Sequence, residues 1–99
     1  MVTKSDLLTA RQKIKEYLKK RFETQGLEKV YVFETEYGHI RALIGNEEFR
    51  DLNPVERQEL VWDLLRENVE PQYLVFLYGV HPMDIDEYDR CTYESREDS

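Results

Sequence analysis

The chain has 99 residues, of which 40% are hydrophobic and 12% aromatic, and its formal net charge is −7 at pH 7. This length suits one domain with one core, and the composition is too apolar for a disordered chain. No apolar run approaches the roughly 20 residues that a membrane-spanning helix needs, which argues against a membrane protein. The single cysteine, Cys91, excludes an internal disulfide and favours a reducing, cytoplasmic compartment.

The charge is unevenly distributed along the chain. Residues 1–22 carry seven cations against two acids, a net +5, which leaves −12 for residues 23–99. An acidic body repels phosphate backbones and lowers the expectation of nucleic-acid binding. The cations near the N-terminus, among them Arg11, Lys15 and Lys19, have two interpretations. The favoured one is a solvated helix face, and the alternative is a nucleic-acid-binding surface.

The first element is predicted to be a helix from about Lys4 to Thr24. Thr3 with Asp6 is typical of a capping box, and Gly26 of a helix end in the left-handed conformation. Apolar residues recur at steps of three and four and form one stripe: Leu7, Ala10, Ile14, Leu18 and Phe22.

Residues 29–36 and 39–44 are predicted to form two strands joined by a two-residue loop, Tyr37-Gly38. This register gives two complementary cross-strand pairs, Glu34 with Arg41 and Glu36 with His39. It also gives a core-facing set of side chains: Tyr31, Phe33, Ile40, Ala42 and Ile44.

A connection follows in which Phe49 and Leu52 are expected to contact the core. Asn53-Pro54-Val55-Glu56 then predicts a helix start, with a capping Asn, a Pro in the first turn and a Glu that completes the box. The helix should reach about Val69, before Pro71. Its inner stripe is Leu60, Val61, Leu64 and Leu65, and Trp62 lies at the margin with Val55 and Val69. Such a wide apolar face covers a sheet edge or meets a partner.

Arg57 falls on the apolar side of this helix, between Val61 and Leu64. A buried guanidinium without a partner is costly, so its head should reach a carboxylate, a carbonyl or the protein's rim. Structural anchoring is the favoured interpretation, and a partner-facing cation is the alternative.

Gln72–Tyr78 is apolar on both faces and predicts a covered strand that Gly79–Pro82 ends. The order α-β-β-α-β predicts a single α+β domain with a three-stranded mixed sheet, helices packed on one face, and the last strand parallel to the second. Residues 1–83 form this domain. Residues 84–99 are predicted to be an acidic tail that docks at its start, through Ile85 and Tyr88, and is otherwise disordered.

The sequence contains no recognisable catalytic or metal-binding pattern. His39, His81 and Cys91 lie on different predicted elements, so no ligand spacing for a metal arises. Cys91 lacks a nearby base, and the four glycines are too scattered for a phosphate-binding loop or a GxxG clamp. The sequence predicts a protein that is not an enzyme and holds no cofactor.

Residues 38–65, GHIRALIGNEEFRDLNPVERQELVWDLL, resemble the BolA family, whose fold is related to the class II KH domain. The matching residues are His39, Ile40, Phe49, Leu52, Val55, Arg57, Leu60 and Val61. The resemblance implies a small, non-catalytic, regulatory protein-binding module of the cytoplasm, for which the family suggests a monothiol glutaredoxin partner in iron–sulfur cluster handling. The family's cluster ligands lie in a long loop between the first two strands and as a histidine on the last strand. Here that loop is Tyr37-Gly38, and the predicted last strand has no histidine.

Two functions follow from the sequence. The first is a BolA-like protein-interaction module, a monomer or weak dimer, whose partner-binding residues are Arg57, Trp62 and His39. The alternative is a KH-like nucleic-acid-binding protein that uses Arg11, Lys15 and Lys19 of the basic first helix. A role in iron–sulfur chemistry ranks third.

Overall fold

The computed structural model describes residues 4–23 and 29–97, which form three strands and four α-helices. Their bounds are α1 Lys4–Phe22, β1 Val30–Glu34, β2 Ile40–Gly45, α2 Pro54–Asn68, α3 Pro71–Leu74, β3 Leu77–Met83 and α4 Ile85–Glu97. The sheet order is β1-β2-β3, with β1 antiparallel and β3 parallel to β2. The predicted α+β class, the mixed sheet and the direction of the last strand are confirmed.

The core lies between one face of the sheet and the two long helices. All five residues of the predicted α1 stripe are buried, as are the alternating β2 residues and the inner residues of α2: Leu7, Ala10, Ile14, Leu18, Phe22, Ile40, Ala42, Ile44, Val61 and Leu65. The predicted cap at Thr3 and the helix end at Thr24 and Gly26 lie outside the described residues. None of the helices in the described part of the chain is long and apolar enough to cross a bilayer.

The hairpin between β1 and β2 differs from its prediction by one residue. Glu34 pairs with Ile40 instead of Arg41, and the pair of Glu36 with His39 does not form. The loop has three residues, 36–38, and the Gly38 N–H donates to the Thr35 carbonyl at 3.1 Å. Gly38 has a φ of 77°, the left-handed conformation that closes three-residue hairpin loops and that glycine adopts without strain.

This shift reverses the two faces of β1, because strand side chains alternate with a period of two. Val30 and Val32 are buried beneath the helices. Tyr31 and Phe33, which were predicted to face the core, lie on the opposite face, where their rings stack at 5.2 Å. The prediction for β1 was therefore wrong, and that for the buried residues of β2 is confirmed.

The connection to α2 and the start of that helix form as predicted. Phe49 is fully buried against Phe22, with ring centroids 5.4 Å apart. The Asn53 side chain accepts from the Glu56 N–H at 2.9 Å, and the Glu56 carboxylate accepts from the Asn53 N–H at 3.0 Å. This reciprocal capping box satisfies amides that a helix N-terminus otherwise leaves unpaired.

Residues 71–83 depart from the predicted strand over Gln72–Tyr78. Pro71 is the first residue of α3. Proline is favoured there because the amides of a helix's first turn have no hydrogen-bond partner within the helix, so its missing N–H costs nothing. β3 consequently begins at Leu77 and contains Gly79–Pro82, which were predicted to end the strand. Pro82 fits in β3 because β3 is an edge strand, where a missing N–H breaks no ladder bond.

The chain from Asp84 onward also departs from prediction, because the described residues form α4 where a disordered tail was expected. Asp84 and Glu87 make a second capping box, with N–H to carboxylate distances of 2.9 and 3.2 Å. Tyr88 is buried and lies against Gly45, where a Cβ would come within 2.7 Å of its ring. The start of the segment therefore docks on the sheet, and the domain boundary at residue 83 stays a prediction.

Candidate partner-binding site

Trp62 lies beside an apolar groove between α2 and α3. The groove has a volume of about 410 Å³ and is lined by Trp62, Arg66, Pro71, Leu74 and Val75. Trp62 and Leu74 are half-buried, whereas Val75, directly after α3, is 67% exposed. A tryptophan and an exposed valine in a concave apolar site can bury surface against another molecule.

Side chains of α2 cover the outer edge of β3 next to this groove. Gln58 Nε2 donates to the Val80 carbonyl at 2.8 Å, and Trp62 Nε1 donates to Gln58 Oε1 at 3.2 Å. The carbonyl of Met83, three residues along β3, faces β2 instead and accepts from the Asn46 N–H. The Gln58 amide therefore satisfies a backbone group that an edge strand would otherwise offer to another chain.

Arg57 is engaged inside the protein. Its Nε donates to the Leu52 carbonyl at 2.9 Å, and its Nη1 donates to Glu87 Oε1 at 3.1 Å and to the Pro82 carbonyl at 3.4 Å. Its side chain is 15% exposed. The guanidinium thus joins the connection before α2, the end of β3 and the first turn of α4. This geometry fits the structural interpretation of Arg57, and a contact with a partner stays a prediction.

His39 stacks on Tyr78 of β3, with ring centroids 3.5 Å apart and an interplanar angle of 5°. The predicted side-chain pair of His39 with Glu36 does not form, and the His39 backbone instead hydrogen-bonds Thr35. The His39 N–H donates to Thr35 Oγ1 at 3.3 Å, and its carbonyl accepts from the Thr35 N–H at 2.7 Å. His39 is therefore held at the loop end of β2 by the turn and by an edge strand.

The three predicted partner-binding residues each connect to β3, His39 by a ring contact beside an irregularity of the strand and the other two through backbone carbonyls. No hydrogen bond or ring contact joins them directly within the described chain. The connections are His39 to Tyr78, Trp62 through Gln58 to Val80, and Arg57 to Pro82. β3 and α2 are consequently the frame of the candidate site.

His81 was not assigned a role from the sequence, because β3 was predicted to end before it. It lies on the exposed side of β3, with Nε2 3.3 Å from Arg41 Nη1. Partial burial, and then the charge of Arg41, lower the pKa of His81 below its usual value of 6.5. Neutral His81 can accept a hydrogen bond from Arg41, whereas the protonated ring would present a second donor.

The cations of the alternative nucleic-acid surface lie along α1. Lys19 pairs with Glu23 at 3.4 Å, Arg11 is half-buried and Lys15 is exposed. A separate cleft of about 340 Å³ between α1 and the end of α2 contains Lys13 and Lys20 together with Glu16 and Glu70. Cations and acids alternate in that cleft, which does not include Arg11, Lys15 or Lys19, and a nucleic-acid role of these three residues stays a prediction.

β3 as observed, Leu77–Met83, contains His81. The last strand therefore has a histidine, which the strand predicted over Gln72–Tyr78 did not. Within the described residues, no three His, Cys, Asp or Glu side chains lie close enough together to hold a metal ion. Cys91 lies half-buried on α4 and is not in a disulfide.

Comparison with known proteins identifies the fold. No protein-family model and no curated protein matches the chain. Among solved structures, BolA1 from Arabidopsis thaliana is similar, with a TM-score of 0.53 and 22% sequence identity. The match covers 76% of this chain and 88% of that one. The chain therefore has a BolA-like fold.

Proposed function

We propose that the chain is a non-catalytic module of the cytoplasm that binds a protein partner through the Trp62 groove. The observation that supports this proposal most directly is that the groove is concave and apolar and that Val75, one of its lining residues, is exposed. Interface centres are typically rich in aromatic residues and Arg, and here Trp62 provides the aromatic residue and Arg66 a cation at the rim.

The frame of the groove supports binding without large rearrangement. Trp62 is fixed through Gln58 to β3, and α2 is fixed at its first turn by the capping box and by Arg57. A rigid aromatic side chain loses little conformational entropy when a partner covers it.

A matched pair of valines tests this site. Val75→Glu places a carboxylate in the groove, and Val55→Glu places one on α2, where Val55 is 65% exposed and outside the groove-lining residues. We expect the tagged chain to capture a protein from the source cells, and we expect Val75→Glu alone to lose it. Circular dichroism and thermal unfolding check that both variants fold. Equal capture by the wild type and both variants would contradict the proposed site.

The partner that we propose is a monothiol glutaredoxin, because the fold is that of BolA-like proteins. The groove contains no metal-ligating cluster, so the contact should form between apo proteins. Titration calorimetry in the presence of a chelator measures it directly. We expect binding that Val75→Glu weakens at least tenfold, and no change in visible absorption on mixing. Absence of heat at two well-separated temperatures would exclude this partner while leaving the capture experiment to identify another, because burial of apolar surface changes the heat capacity even where the binding enthalpy is near zero.

A further inference from the structure

The two edges of the sheet differ in how their backbone groups are satisfied. On β3, side chains of Gln58 and Arg57 occupy the outward carbonyls of Val80 and Pro82. On β1, no side chain in the described part of the chain does the same. β1 is the other edge strand, and it contains no proline and no bulge that would block further pairing.

Hydrogen bonds to β2 identify which groups of β1 are free. The Thr35 N–H bonds the His39 carbonyl, and the Gly45 N–H bonds the Lys29 carbonyl, so the odd-numbered residues of β1 face β2. The even-numbered residues Val30, Val32 and Glu34 therefore direct their N–H and C=O groups outward. No hydrogen bond between described residues reaches those groups.

We propose that the β1 edge pairs with β1 of a second copy of this chain, antiparallel and about a two-fold axis at Val32. This is the register in which all three outward residues find partners, since Val32 meets its own copy and Val30 meets Glu34 of the other chain. Both sheets then join into one of six strands. Other symmetric registers leave outward groups unpaired, or set the two Glu34 carboxylates opposite each other.

The side chains of the outer face fit the same register. Tyr31 is 55% exposed and stacks on Phe33 of its own strand at 5.2 Å. Across the axis, Tyr31 of one copy lies opposite Phe33 of the other, in a non-hydrogen-bonded pair where side chains approach most closely. Two stacked pairs thus lie side by side as a cluster of four rings, and part of the exposed Tyr31 surface is covered.

The copies repel each other, because each carries a net charge of −7. The dimer should therefore strengthen as added salt screens this repulsion. This inference is independent of the Trp62 groove, which lies between α2 and α3, so Val75→Glu should leave self-association unchanged.

Sedimentation of the full chain up to millimolar concentration tests the proposal. We expect a monomer–dimer equilibrium that Tyr31→Lys shifts at least tenfold toward monomer. The matched control is Tyr78→Lys, on the opposite edge strand, where Tyr78 is similarly exposed at 59%. A chain that stays monomeric at every concentration, or equal effects of the two substitutions, would overturn it.

The register has its own test in a Cys91→Ser background. Combined Tyr31→Cys and Phe33→Cys substitutions should give an oxidised dimer, because each new thiol faces the other position across the axis. Two thiols two residues apart on one strand are too distant to bond each other. Tyr31→Cys alone should cross-link much less, and cross-linking equal to that of the double variant would overturn the Val32-centred register.

Discussion

Arg57 is tolerated on the apolar side of α2 because three other segments supply acceptors for its guanidinium. The Leu52 and Pro82 carbonyls and the Glu87 carboxylate occupy its donors. We expect Arg57→Met to lower the free energy of unfolding by about 1–3 kcal/mol, since partly buried acceptors lose their donor. Urea denaturation followed by circular dichroism measures the change.

The control for this substitution is Arg66→Met on the same helix. Arg66 also bonds a carboxylate, that of Asp63 at 2.7 Å, but both side chains are exposed. Exposed pairs contribute little, so we expect a change within about 0.5 kcal/mol. Equal losses for the two variants would show that the contacts of Arg57 stabilise the fold no more than an exposed ion pair does.

His81 should make stability depend on pH in a specific direction. Its pKa is below 6.5 in the folded protein, so the unfolded chain binds the proton more readily. Stability contributed by neutral His81 is present above pH 6.5 and is lost as the pH falls toward the lowered pKa. NMR titration of the His81 ring measures this pKa, and we expect Arg41→Gln to raise it. A pKa unchanged by that substitution would exclude Arg41 as a cause.

Single residues show both the reach and the limit of sequence reasoning. The charge of Arg57 and its position on the helix predict that its guanidinium has a carboxylate or carbonyl acceptor. Which groups are the acceptors depends on the fold. Glu87 could not be chosen as its partner, because residues 84–99 were assigned to a tail on their acidic composition. The pattern Asp84-x-x-Glu87 is a capping box and was the available signal for α4.

At the scale of elements, the hairpin loop determines which face of β1 is buried. We expect Gly38→Ala to lower the free energy of unfolding by about 1–2 kcal/mol, because alanine is strained at a φ of 77°. A Cβ there would meet only Leu7 Cδ2 at 3.9 Å, so crowding is not the cause. Thermal unfolding measures the change.

Gly79→Ala is the matched control, since Gly79 lies in β3 and an added Cβ would make ordinary contacts of 3.7 Å. We expect this variant to be as stable as the wild type or slightly more stable, because alanine restricts the unfolded chain. A loss at Gly38 no larger than at Gly79 would contradict the role of the three-residue loop.

Helices with explicit caps and stripes could be predicted closely, as α2 and its box at Asn53 show. β1 could not, because Val30 and Val32 are as apolar as Tyr31 and Phe33, so periodicity leaves either face possible and the loop length decides. β3 was misplaced for a related reason. Tyr73 and Leu74 pack on the core from a helical turn, and an apolar run alone does not separate that turn from a strand.

At the scale of the whole molecule, the sheet has one protected edge and one open edge. α2 covers β3 with side-chain donors and borders the Trp62 groove, while β1 leaves three residues without backbone partners in the described chain. The class, the mixed sheet and the parallel last strand followed from element order. The groove could not be predicted, because α3 forms one of its walls and α3 was not predicted. The open edge could not be predicted either, because the groups of β1 that point outward depend on its observed register with β2.

The central claim is that a protein partner binds at the Trp62 groove. Hydrogen–deuterium exchange of the complex captured in the pull-down, compared with the free chain, tests it most directly. We expect slower exchange over residues 62–76, with the amides of Val30, Val32 and Glu34 unchanged at the same chain concentration. Protection confined to α1, with residues 62–76 exchanging as in the free chain, would contradict the claim.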